Sequence, residues 1–431
     1  MSRSTRTTTV SEGRLEGRVR LPPSKSYTHR AVLMAGLAEG ASRISNVLFS
    51  RDTNATMAAC QAMGARMERS GSAVTITGTM PTVPADVVNV ENSGTTLRFM
   101  TSAFGAAPDG FVVLTGDSSI RRRPMQPLLD TLGQLGVEAW STRKNGCAPI
   151  VVKCGGIRGG EAVIRGDVSS QFVSSLIISS PMAAQDTSIS VADAVSRPYI
   201  DATLTLSKVF AVQVEREGYS KFVVRAGQRY RHSDFTVPAD FSSASFIVAA
   251  VGLVGGKVVL EDLNPELPQG DSAIMKIART MGVRVDEGEG SVTVESDGSK
   301  LKGGTFNLGD TPDLLPVVAA LSLRSESPVE VVGTAHARFK ETDRIAVLAT
   351  ELSKVGVKIE ERPDGMKIQP NAQLKRAALD AHDDHRMFMA FSLASMLLPG
   401  GIPVVGAESL DVSYPTFLED MRRLGARVTS E

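Results

Sequence analysis

Ala273-Ile274-Met275-Lys276-Ile277-Ala278-Arg279-Thr280-Met281-Gly282-Val283-Arg284-Val285 spells an amphipathic helix that stops and turns into a strand. Its apolar residues recur at helical spacing. The glycine after the last of them can enter the left-handed region that closes a helix without steric cost. The same pattern recurs at residues 56–67, 128–137, 346–359 and 417–428, and a degenerate copy at 202–214 carries Ala211 in place of glycine. The stops are Gly64, Gly136, Ala211, Gly282, Gly356 and Gly425, spaced about 70 residues apart.

Each copy is preceded by a second helix, more apolar and rich in small residues, beginning near Ser26, Thr95, Gln171, Ser243, Asp313 and His385. Nearly uniform hydrophobicity, as in Phe246-Ile247-Val248-Ala249-Ala250-Val251, predicts helices buried on every side. Short β-branched runs at 72–77, 151–153, 257–260 and 291–294 predict strands between the helices. The unit is β-α-β-α-β-β, six times over, with a period that fits neither a solenoid nor a propeller. Six units divide most simply into two α/β domains of three, which agrees with 431 residues being too many for one ordinary core.

Lys+Arg and Asp+Glu both total 47, so no overall field recruits nucleic acid or an anionic membrane. No apolar run approaches the ~20 residues that cross a bilayer. Cys60, Cys147 and Cys154 form no CxxC pair and no complete disulfide set, which with no secretory signal points to the cytoplasm. The opening Met1-Ser2-Arg3-Ser4-Thr5-Arg6 is basic and hydroxylated, but it is short and reads as an ordinary N-terminus rather than a transit peptide.

Polar clusters sit at the starts of the buried helices: Ser24-Lys25-Ser26 with Arg30, Asn92-Ser93-Gly94-Thr95, Ser169-Ser170-Gln171 and Asp384-His385-Arg386. Arg121-Arg122-Arg123-Pro124 and Lys340-Glu341-Thr342-Asp343-Arg344 add further cations. Helix N-termini present unpaired N–H groups and partial positive charge, so they favour phosphate and carboxylate. Singly, each Ser, Thr, Asn or Asp is a helix cap. Arg or Lys beside nearly every one points to anionic substrates, and the neighbouring carboxylates and His to proton movement between them.

In order along the chain, residues 21–30 (Leu-Pro-Pro-Ser-Lys-Ser-Tyr-Thr-His-Arg), 92–98, Arg123-Pro124, 166–172, 196–201, 237–244, 340–344 and 384–387 resemble the signature segments of the 5-enolpyruvylshikimate-3-phosphate synthase family. The resemblance implies an enolpyruvyl transferase fold whose buried helices point at a cleft between domains. It implies residues 1–20 with 240–431 as one discontinuous domain and 21–239 as the other, with hinge segments near 20–23 and 235–240. The implied reaction moves the enolpyruvyl group of phosphoenolpyruvate to the 5-hydroxyl of shikimate 3-phosphate and releases phosphate. No metal or organic cofactor is implied.

By the same resemblance, Lys25, Gly94, Arg123, Gln171, Arg344 and Arg386 would hold phosphoenolpyruvate. Ser26 and Arg30 would take the shikimate carboxylate, Ser169, Ser170 and Ser196 its 3-phosphate, and Lys340 and Asp313 its hydroxyls, with Lys25 and Gln171 also in reach. Asp313 is the candidate base and Glu341 the candidate acid, with Lys25 and His385 assisting. The bland readings are a surface ion pair for Glu341–Arg344, a structural carboxylate for Asp313 and a packing histidine for His385. Arg121 and Arg122 read as solvated loop charges, and Arg197 is balanced between phosphate ligand and surface.

Several positions depart from the family pattern. Val412 stands where a Lys commonly reaches the phosphoenolpyruvate carboxylate, Glu91 where a Gly precedes the Asn, Phe99 where Pro is frequent, and His336 where Asn is frequent. Three alternatives compete with this reading. A UDP-N-acetylglucosamine enolpyruvyl transferase would carry a Cys in the loop that here reads Gly116-Asp117-Ser118-Ser119-Ile120. An RNA 3′-phosphate cyclase would need a nucleic-acid platform, and a non-catalytic phosphometabolite sensor would not need the acid/base set. A monomer is the default assembly.

Overall fold

A computed structural model describes residues 7–11, 13–370 and 373–430; Met1–Arg6, the segment weighed above as a transit peptide, lies outside them. Twelve α-helices and six four-stranded sheets are present among the described residues. The chain divides into two compact units, Pro23–Pro238 and Met1–Pro22 with Ala239–Glu431. At their boundaries, Ser24 N–H donates to the Pro238 carbonyl (2.7 Å) within the first, and Asp240 N–H to the Pro22 carbonyl (2.9 Å) within the second.

The Pro23–Pro238 unit contains α1 (Lys25–Leu37), α2 (Arg51–Ala62), α3 (Gly94–Phe104), α4 (Gln126–Gln134), α5 (Ser170–Ser179) and α6 (Arg197–Val209). The other contains α7 (Phe241–Val254), α8 (Ala273–Met281), α9 (Leu315–Ser322), α10 (Arg344–Lys354), α11 (His385–Ser395) and α12 (Phe417–Arg423). The odd-numbered helices are the apolar ones. Every residue of α3, α9 and α11 is buried, as the unbroken hydrophobicity of their sequences predicts. In the unit with α7 to α12, α7, α9 and α11 pack on one another pairwise. In the other, α3 packs on α5, and the row closes onto α1 through α2 and α6.

Each sheet repeats one topology. In the sheet of Gly160–Arg165, Thr187–Ala192, Lys221–Val224 and Glu215–Glu217, the first two strands run parallel, joined through α5, and the others are antiparallel. This is the β-α-β-α-β-β unit expected from the sequence, present six times. Three sheets borrow a strand from a distant part of the chain. Phe235–Thr236 pairs parallel with Ala41–Ser45, Leu15–Arg20 pairs parallel with Gly256–Glu261, and Thr7–Ser11 lies between Pro403–Val405 and Arg427–Ser430.

The helix stops behave alike. Gly64, Gly136, Gly282, Gly356 and Gly425 all have φ between 85° and 114°, and Ala211, the non-glycine copy, is held at 64°. One expected start differs: Asp313 lies in a 3-10 turn, Pro312–Leu314, and α9 begins at Leu315. Pro312 and Pro316 supply no N–H to an earlier helical turn, which leaves the tighter turn as the entry. No described helix is long and apolar enough to cross a membrane.

Candidate active site

The predicted residues gather at helix starts in two clusters, one in each unit. In the unit with α1 to α6, Lys25 opens α1, and its Nζ lies 3.1 Å from the buried Asp52 Oδ2 on α2. Arg30, one turn further, is 2 % exposed. Its Nε donates to Thr203 Oγ1 (2.8 Å), Nη1 to the Ser26 carbonyl (2.9 Å), and Nη2 to the Tyr199 carbonyl (2.9 Å) and Ser174 Oγ (3.5 Å). The guanidinium sits 5.3 Å from the ring centre of Phe99, which gives the departure at Phe99 a physical role as a cation–π partner.

Gly94 opens α3 against Arg123. A Cβ at Gly94 would come within 2.7 Å of Arg123 Nη1, so a side chain there would displace the guanidinium. Arg123 is buried; its Nη2 donates to Asn92 Oδ1 (3.2 Å) and Ser119 Oγ (3.3 Å), and Asn92 Nδ2 in turn donates to Asp117 Oδ2 (2.6 Å). Arg98 Nη1 donates to Gln171 Oε1 (2.6 Å), whose Nε2 donates to Thr95 Oγ1 (2.9 Å). This ties the starts of α3 and α5 together. Ser169 caps α5 by accepting from Gln171 N–H (3.3 Å), and Ser170 follows it, buried. Ser196, buried at φ 52°, precedes α6, and Arg197 lies 5.5 Å from the Tyr219 ring centre. Arg121 and Arg122 are exposed.

Glu91 has φ 53°, a conformation that favours glycine, and its carboxylate accepts from Arg51 Nη2 and Asn89 Nδ2, both at 3.0 Å. An acid at this position is thus neutralised locally.

In the unit with α7 to α12, the centre of the cluster is Arg344, whose side chain is 1 % exposed. Its Nη1 donates to Asp313 Oδ1 (2.7 Å), Nη2 to Glu341 Oε2 (2.6 Å), and Nε to Asp384 Oδ2 (2.9 Å). Burial works against this charge, but Asp384, Glu341 and Asp313 outweigh it and hold its pKa above the ordinary arginine value. Asp313 also meets Lys340 Nζ (3.4 Å) and Arg386 Nη2 (3.2 Å), so three cations share one carboxylate. Burial pushes the Lys340 ammonium down; Asp313 and Glu341 oppose that shift, and Arg344 and Arg386 add to it. Asp384 caps α11, accepting from Arg386 N–H (2.9 Å), and places His385 and Arg386 in its first turn. His385 Nδ1 lies 3.9 Å from Asp384 Oδ1. Val412 is 3 % exposed at the end of a 3-10 turn, Ala407–Val412, packed on α11.

The family model of EPSP synthase (3-phosphoshikimate 1-carboxyvinyltransferase) matches residues 10–421. The chain belongs to the EPSP synthase family. A 3-phosphoshikimate 1-carboxyvinyltransferase of Methanothermobacter thermautotrophicus is 46 % identical over 424 residues, covering 98 % of this chain and 99 % of the relative. One from Nitrosopumilus maritimus is 42 % identical over 427 residues, covering 98 % and 99 %. A solved structure of EPSP synthase from Acinetobacter baumannii superposes with a TM-score of 0.81 at 27 % identity, covering 99 % of this chain and all of the other.

The partners Asp52, Asn92, Thr203 and Asp384 are not among the predicted site residues, although all four hold a predicted cation in place. Asp52 and Asp384 carried a visible signal, each being a carboxylate at the start of a helix. Thr203 carried none, since its link to Arg30 spans 173 residues.

Proposed function

We infer that this chain transfers the enolpyruvyl group of phosphoenolpyruvate to the 5-hydroxyl of shikimate 3-phosphate, releasing phosphate. Family membership supports the reaction. The observation that carries the assignment of roles is the joining of Asp313 and Glu341 by one buried arginine, with Lys340 and Arg386 on Asp313. A binding protein needs the cations but not two carboxylates held in this way.

In the proposed sequence, the 5-hydroxyl oxygen bonds to C2 of phosphoenolpyruvate while Asp313 takes its proton and Glu341 gives one to C3. The product is a tetrahedral ketal phosphate. The C2–phosphate bond then breaks, and a proton leaves C3 to restore the enol ether. Lys25, Gly94, Arg123, Gln171, Arg344 and Arg386 take the phosphoenolpyruvate anion and the departing phosphate, and His385 and Lys25 assist the proton traffic. Ser26, Arg30, Ser169, Ser170, Ser196 and Lys340 hold shikimate 3-phosphate, Arg30 with few donors left over after its internal bonds. Arg344 Nη2 donates to Glu341 Oε2, so the acid role requires that contact to loosen when substrate binds. A cytoplasmic monomer is part of the same proposal; Cys60, Cys147 and Cys154, all free thiols, support the location.

The test is phosphate release from phosphoenolpyruvate with shikimate 3-phosphate and, separately, with UDP-N-acetylglucosamine. Release is expected with the first acceptor alone, with kcat falling at least 100-fold in Asp313→Ala while shikimate 3-phosphate still binds. Tight binding without release would make the chain a sensor.

A further inference from the structure

Behind the start of α3 runs a buried chain of hydrogen bonds that the proposed reaction does not use. His29 Nδ1 on α1 lies 2.6 Å from Thr56 Oγ1 on α2, and Thr56 Oγ1 lies 2.6 Å from Thr96 Oγ1 on α3. Thr96 Oγ1 donates to Ser93 Oγ at 2.6 Å, and Ser93 also accepts the Thr96 backbone N–H at 3.1 Å as the cap of α3. All four residues are at most 1 % exposed. The first link, His29 to Thr56, sits one helical turn below the Lys25–Asp52 ion pair, on the same two helices.

Proton counting fixes the direction of the chain. Each hydroxyl has one proton to give. The Thr96 proton goes to Ser93, so Thr56 must donate to Thr96, and His29 must donate from Nδ1 to Thr56. Nε2 then carries a lone pair, and it has no hydrogen-bond partner among the described residues. Protonating it would add a buried charge near Lys25 and Arg30. Burial foremost, then those two cations, hold the His29 pKa well below the usual histidine value. His29 is therefore a fixed neutral donor. Every dipole in the chain points its positive end toward the start of α3, and the Ser93 proton is left for whatever lies there. That place is beside Gly94, where Arg123 Nη1 approaches to within 2.7 Å of a Cβ position.

We propose that His29, Thr56 and Thr96 are positioning residues for phosphoenolpyruvate: their one-way hydrogen-bond chain orients the Ser93 hydroxyl as a donor to the anion at the start of α3. The proposal rests on the function inferred above. Aligned hydrogen bonds polarise one another, so breaking a link two residues away weakens the terminal donor.

The experiment separates this chain from simple packing. Thr56→Val keeps the shape of the side chain and removes both hydrogen bonds, whereas Thr56→Ser keeps the hydroxyl and loses a methyl group. The expected result is a rise of about tenfold in KM for phosphoenolpyruvate in Thr56→Val, with kcat within about twofold and KM for shikimate 3-phosphate unchanged. Thr56→Ser should keep the wild-type KM even where its Tm is lower. Wild-type KM in Thr56→Val, or KM changes in both variants that merely follow their losses in Tm, would overturn the proposal. Competition by inorganic phosphate, read by isothermal titration, should weaken in Thr56→Val alone. Wild-type protein without any phosphate release would sink the functional assignment instead, and the two failures are distinct.

Discussion

Arg344 and Asp384 are joined twice, Nε to Oδ2 at 2.9 Å and Nη2 to Oδ1 at 3.3 Å, with the arginine side chain 1 % and the aspartate 0 % exposed. The same Oδ1 accepts the Arg386 backbone N–H. One carboxylate therefore fixes a cation on α10 and begins α11, which carries His385 and Arg386.

Asp384→Ala removes that carboxylate and leaves a buried guanidinium short of its double partner. Losing one side of a buried ion pair costs about 3–5 kcal/mol, and loss of the cap adds ~1 kcal/mol. The expected outcome is a lower denaturant midpoint together with a KM for phosphoenolpyruvate raised at least tenfold. Asp384→Asn, which keeps an acceptor for the helix, should lose less stability. Equal losses in both variants would show that the retained acceptor contributes nothing and that the lost charge accounts for the whole effect.

Asp271 gives the protein a dependence on pH. Its carboxyl is buried and accepts from the Ser242 hydroxyl. Burial first, then the charge of Asp313, push its pKa up to about 6 against the pull of Arg386. An unfolded aspartate titrates near ~3.9. Between these values the folded chain holds more protons than the unfolded one, so this group's contribution is fully present below ~4 and is lost as pH rises through about 6. Relative to wild type, Asp271→Asn should gain stability through that window and level off above it. The gain is at most about 3 kcal/mol, since one pH unit carries ~1.4 kcal/mol. Parallel stability profiles from pH 4 to 8 would refute this.

Ala211 is the third of the six helix stops and the one without glycine, yet it adopts φ 64°. An L-residue in that region costs about 1–2 kcal/mol, while glycine costs ~0.5–1 kcal/mol more in chain entropy. Ala211→Gly is therefore expected to stabilise the protein by about 0.5–1 kcal/mol, read as a rise in the chemical unfolding midpoint with unchanged activity. A loss of stability would mean that the Ala211 methyl packs usefully.

Ala211 also shows how far sequence reading reaches. The stop at 211 was legible because the five other copies supplied its spacing, and the buried helices were legible because no polar stripe interrupts them. The strands at Leu15–Arg20 and Phe235–Thr236 were not assignable to sheets, since their partners lie at Gly256–Glu261 and Ala41–Ser45, and local periodicity carries no information on such pairings. The candidate site divides in the same way. Lys25, Arg123 and Arg344 stood out as cations within polar clusters, but their partners Asp52, Asn92 and Asp384 lie 27 to 40 residues away. The chain from His29 to Ser93 also needs three helices folded together before its direction can be counted.

The sequence resemblance puts Val412 where a lysine is common in the family. The 3-10 turn that ends in it packs on α11, which begins with His385 and Arg386, and Tyr414 just beyond is fully buried with its ring edge toward Phe417 at 5.6 Å. A lysine at Val412 would bury its stem in this apolar setting and extend its ammonium outward. One charge-assisted hydrogen bond to the substrate carboxylate contributes ~1.5–3 kcal/mol, so Val412→Lys is expected to lower KM for phosphoenolpyruvate about tenfold or more, at some cost in Tm. Steady-state kinetics with phosphoenolpyruvate varied at saturating shikimate 3-phosphate measure it directly. A folded Val412→Lys with unchanged KM would mean that the cations already around Asp313 fully supply what this position supplies elsewhere in the family.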